Sequence, residues 1–112
     1  MAPNIAHITL DCSDMGAVAR FWSAALERPI VAGDDGYCYV GSEGEPYRLC
    51  VMQAPGTKVV KNRLHLDIAV DDRAIEVERL LSLGAAIAAE YDEGGFQWTT
   101  LQDVEGNEFC VF

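Results

Sequence analysis

The sequence predicts an α+β fold in which two tandem βαβββ modules form a curved mixed sheet around a cleft. Three observations predict it. The two halves of the chain repeat one another, each half opens on a strand-like run closed by an aspartate, and each run leads into an apolar stripe at helical spacing. With 112 residues the chain suits one domain, 1–112, with the internal repeat at 4–56 and 62–112.

The first half begins His7-Ile-Thr-Leu-Asp-Cys-Ser-Asp14 and the second His65-Leu-Asp-Ile-Ala-Val-Asp-Asp72. Asp14 and Asp72 suit helix N-caps, where a short carboxylate accepts from free backbone N–H groups. Met15, Val18, Ala19, Trp22, Ala25 and Leu26 then recur at helical spacing, as do Val77, Leu80, Leu81 and Gly84. Pro29 stops the first helix and Gly84 fits the position just past the second. Trp22, on the apolar stripe, is expected in the core. Further on, Gly36-Tyr-Cys-Tyr-Val40 mirrors Gly95-Phe-Gln-Trp-Thr99, and Leu49-Cys-Val51 mirrors Phe109-Cys-Val111. The predicted strands are 4–12, 29–33, 36–41, 47–53, 63–70, 86–91, 95–102 and 107–112.

Charge narrows the function classes. A formal net charge of −10 repels phosphate backbones and anionic lipid, which argues against nucleic-acid and membrane-surface roles. No apolar run approaches membrane-spanning length, and the start, residues 1–7, lacks the basic and apolar regions of a secretion signal. A cytoplasmic chain is expected, with Cys12, Cys38, Cys50 and Cys110 as reduced thiols. So short a chain leaves much surface exposed, and pairing with a second copy would help.

Strand alternation sorts the side chains by face. Ile8, Leu10, Leu49, Val51, Phe109 and Val111 belong to apolar faces that the helices should cover. The opposite faces carry Thr9, Asp11, Arg48, Arg63, Asp67 and Glu108, with both histidines and two cysteines. A polar face lining a concavity is a binding-site signal. The repeat makes His7 equivalent to His65 and Cys50 equivalent to Cys110. Two imidazoles and two thiolates are a sound zinc set, although their spacing alone carries little weight. The plainer alternative makes the histidines partners of Asp11, Asp67 or backbone, and the cysteines small fillers.

These residues resemble the vicinal oxygen chelate superfamily, which includes glyoxalase I, extradiol dioxygenases and bleomycin-resistance proteins. The resemblance rests on the two histidine-led runs, Phe21-Trp22 with Leu26, Leu83-Gly-Ala85 and Asp103-Val-Glu-Gly-Asn-Glu-Phe-Cys-Val111. Lys61-Asn-Arg-Leu-His-Leu-Asp67 is similar to the small glyoxalase-like branch. It implies two βαβββ modules, usually in a homodimer. It also implies metal ligands from the first and fourth strands of each module: here His7, Cys50, His65 and Cys110. Cys50 and Cys110 stand where glyoxalase I carries glutamates, and Val104 stands where the last turn usually has proline.

Two functions from different classes follow. One is a protein that binds a small planar or aromatic molecule in its cleft, for resistance, sequestration or carriage, without a cofactor. Tyr39 and Trp98 would stack on the ligand, and Arg48 and Arg63 would anchor an anionic group through the guanidinium fork. Those arginines could equally pair with Asp11, Asp67 or Glu108. The other is a metal-dependent lyase, isomerase or dioxygenase holding one divalent Zn, Ni, Fe or Mn ion, with Glu108 or Asp67 as the proton-transfer group.

Overall fold

The computed structural model describes residues 4–112 and contains two compact units divided between Thr57 and Lys58. Residues 1–3, part of the start in which no secretion signal is expected, lie outside the described residues. The first unit comprises β1 (Ile8–Cys12), α1 (Met15–Leu26), β2 (Ile30–Asp34), β3 (Tyr37–Val40) and β4 (Leu49–Gln53). The second comprises β5 (Leu66–Ile68), α2 (Arg73–Ser82), β6 (Ala86–Glu93), β7 (Phe96–Gln102) and β8 (Glu108–Val111). The sheet orders, β1-β4-β3-β2 and β5-β8-β7-β6, are the same arrangement twice. In each, the first strand runs parallel to the last and the other neighbours are antiparallel.

Both helix starts follow the sequence reading. Asp14 accepts from the Ala17 N–H and Asp72 from the Ile75 N–H, each at 3.1 Å. The end of α1 comes earlier than proline alone requires. Glu27 adopts a left-handed conformation at φ 54° and its N–H reaches the Ser23 carbonyl, so the turn is made two residues before Pro29. Gly84, at φ 114°, carries the chain out of α2 as expected. A Cβ there would approach Val104 Cγ1 to 3.0 Å.

Each unit buries one sheet face beneath its helix. Trp22 is fully buried in α1 and meets Phe21 edge-on at 5.2 Å, with Leu49, Val51 and Val40 buried in the strands. In the second unit Leu101, Phe109 and Val111 are buried with Val77 and Leu80 of α2. Thr99 lies in that same layer, and its hydroxyl accepts from Arg73 Nη1 at 2.7 Å, so this buried hydroxyl is satisfied. The last turn lacks its proline, but Asp103 stiffens it. One oxygen of Asp103 accepts from the N–H groups of Glu105 and Asn107, both at 2.9 Å. Among the described residues no helix is long and apolar enough to cross a membrane.

Candidate functional site

The sheet faces turned away from the helices carry the chemistry, and the two units fill them differently. Cys50 pairs in register with Thr9 and Tyr39, whereas Cys110 pairs with Asp67 and Thr100. Equating the cysteines therefore equates Tyr39 with Thr100 and Tyr37 with Trp98. The sequence match of Tyr39 with Trp98 is corrected by two residues, which is one step along the same face. The longer β6–β7 hairpin causes the slip. Its Gly94-Gly95 turn, both residues at positive φ, projects further from the cysteine level than the Asp35-Gly36 turn does.

In the first unit the large ring closes the position. Tyr39 meets His7 edge-on at 5.6 Å and Tyr37 at 5.6 Å, and Cys50 beside it is buried. Arg48 lies over Tyr39 with its guanidinium carbon 3.7 Å from the ring centroid, and its Nε donates to the Gly41 carbonyl at 3.0 Å. Burial pushes the Cys38 thiol up from its ordinary pKa, so it behaves as an apolar filler.

In the second unit the smaller Thr100 occupies the equivalent position, and Cys110 beside it is less buried than Cys50. Cys110 is half-buried there, its sulfur 3.4 Å from the Thr100 hydroxyl. His65 Nδ1 and Asp67 Oδ1 are 3.0 Å apart on exposed side chains. One donor atom from each of His65, Asp67 and Cys110 lies within 4.8 Å of the others. Imidazole, carboxylate and thiolate all suit a zinc-like ion, so this donor set fits the metal that the sequence resemblance implies. His7 and Cys50 belong to the other unit, and Asp67 takes part in the group instead.

The charge pairing expected for Arg48 and Arg63 takes other routes. Glu108 is held by Lys58, whose Nζ is 2.9 Å from Oε1, and by the Asn62 N–H, 3.1 Å from Oε2. The Asn62 side chain accepts from the Glu108 N–H at 2.7 Å and donates to its carbonyl at 3.2 Å. Burial opposes ionisation of Glu108, but the Lys58 and Asn62 hydrogen bonds outweigh it and hold its carboxyl below the usual glutamate range. A carboxylate with both oxygens committed is a clip between residues 58–62 and β8, and a poor proton carrier. Sequence spacing gave no sign of this clip, because Lys58 lies outside both repeats and strand alternation does not link Asn62 to Glu108. Arg63 is exposed three residues before β5.

A run of rings extends from the same face. Tyr91 stacks on Trp98 at 4.8 Å and 15°, and Phe96 lies 5.6 Å from Trp98 and 5.7 Å from Phe112. Tyr91, Phe96 and Phe112 are each more than two-fifths exposed. Tyr91 was not singled out from sequence, although the Gly94-Gly95 hairpin places it opposite Trp98.

Paired βαβββ units with metal-donor groups on an uncovered sheet face define a protein of the glyoxalase class. The glyoxalase-like domain family matches residues 7–112, and the chain belongs to that family. Solved structures share the fold at low identity. A variant of the fosfomycin resistance protein FosX from Listeria monocytogenes, complexed with Mn(II) and 1S,2S-dihydroxypropylphosphonic acid, superposes with a TM-score of 0.80 at 16% identity, covering 99% of this chain and 90% of that one. A glyoxalase/bleomycin resistance protein/dioxygenase family enzyme from Burkholderia phytofirmans PsJN gives 0.77 at 15%, covering 95% and 94%. TnmS3, an antibiotic binding protein from Streptomyces sp. CB03234, gives 0.69 at 17%, covering 98% and 94%. Among curated protein sequences none matches the chain.

Proposed function

We propose that this protein binds a small planar or aromatic molecule on the uncovered face of its second sheet. The exposed run of Tyr91, Trp98, Phe96 and Phe112 carries the reading. Large apolar rings left in water at one end of a polar face are what a stacking ligand needs. Arg63, exposed beside that sheet, is the anchor for an anionic substituent, whereas in the first unit Arg48 lies over Tyr39 and covers that ring. Further support comes from the fold shared with TnmS3, an antibiotic binding protein. The role is resistance, sequestration or carriage in the cytoplasm, as a homodimer.

Equilibrium dialysis with 2-naphthoate, a planar aromatic anion, tests the reading. Saturable binding is expected, weakened at least tenfold (about 1.4 kcal/mol) in Trp98→Ala. Equal binding by the variant contradicts it. The second reading, a metal-dependent lyase or isomerase, is favoured by the His65–Asp67–Cys110 group. A bound ion there would polarise a substrate oxygen. Of the two carboxylates expected to move a proton, Asp67 is the exposed one and Glu108 is committed to its clip.

A further inference from the structure

We infer that the second unit alone forms a three-donor site for a thiophilic divalent metal, with His65, Asp67 and Cys110 as ligands. The resemblance distributes ligands over both units and gives Asp67 no ligand role. The geometry points elsewhere, because all three donors lie within 4.8 Å of one another in one unit. Tetrahedral bonds of about 2.0–2.3 Å set donors about 3.3–3.8 Å apart. Contraction by about 1 Å therefore completes the site. His65 and Asp67 can make that movement, because both side chains are more than one-third exposed.

Three features fix the choice of metal and the count of ligands. The Cys110 sulfur and the His65 nitrogen favour zinc or cobalt over the harder ions that prefer oxygen alone. The Thr100 hydroxyl, 3.4 Å from Cys110, supplies a hydrogen bond to a ligating thiolate and holds it in place. In the first unit Thr9 stands where Asp67 stands here, and Tyr39 where Thr100 stands, so the equivalent position lacks the carboxylate and is filled by a ring. Three protein ligands leave a four-coordinate ion one position for water or an exogenous donor. This site rests on its own donor geometry and not on the aromatic reading above.

The test is titration of the purified chain with Co(II), read as thiolate-to-cobalt charge-transfer absorption. The expected result is one Co(II) per chain with a charge-transfer band that Cys110→Ser abolishes. Asp67→Asn should weaken the apparent Kd at least tenfold, while His7→Ala should leave it within threefold. Asp67 and His7 are exposed, so both variants should keep the fold, as circular dichroism can verify. Absence of the band in the wild-type chain overturns the site. Wild-type affinity in Asp67→Asn overturns the ligand set, and loss of binding in His7→Ala overturns its confinement to one unit. The 2-naphthoate experiment can succeed or fail separately from each of these results.

Discussion

Glu108 shows how far a single residue's role depends on its partners. Alternation places it on the polar face beside Cys110, and that much is legible in the sequence. Its partners Lys58 and Asn62 come from a segment with no periodicity, so the clip is visible only in three dimensions. Replacing Glu108 by Gln removes a charge from a largely buried pair while keeping the shape. The expected cost is about 1.5–3 kcal/mol at neutral pH, measured by urea denaturation. The folded-state pKa is lowered, so this contribution is present above the unfolded glutamate value of about 4.3 and is lost as pH falls through the folded value. The gap between wild type and Glu108→Gln should therefore shrink in urea titrations repeated at about pH 3.5. A gap that is constant with pH would show that the charge is not what Lys58 and Asn62 recognise.

The elements themselves were largely readable. Aspartates before apolar helical stripes located both helix starts, because capping is a local interaction between neighbours in sequence. Strand ends differed by a few residues, most at β5, where only Leu66–Ile68 pairs within the broader predicted run. The end of α1 was harder, since a left-handed glutamate has no sequence signature. Glu27 at φ 54° carries strain that glycine would relieve. Glu27→Gly is expected to raise stability by up to about 1 kcal/mol in thermal denaturation. Destabilisation instead would mean that the Glu27 side chain contributes more than its backbone strain costs.

At the scale of the molecule, duplication gave the topology, because the same order of elements recurs in both sheets. The site was less legible, for a related reason. A repeat suggests equal halves, and function lies in where they differ. Cys50 and Cys110 are equivalent, yet Tyr39 stands beside one and Thr100 beside the other. The residue matched to Tyr39 from sequence was Trp98, because a hairpin two residues longer cannot be read without register. The ring run and the donor group both lie on the second sheet in consequence. The most direct test of that placement uses the two tryptophans. Trp22 is buried in α1, and Trp98 stands on the uncovered face, so their indole N–H resonances report separately. In a titration with 2-naphthoate followed by NMR, assigned with Trp98→Phe, the Trp98 resonance should shift saturably while that of Trp22 stays fixed. A saturable response confined to Trp22, or no response from Trp98 at saturating probe, would contradict a binding face on the second sheet.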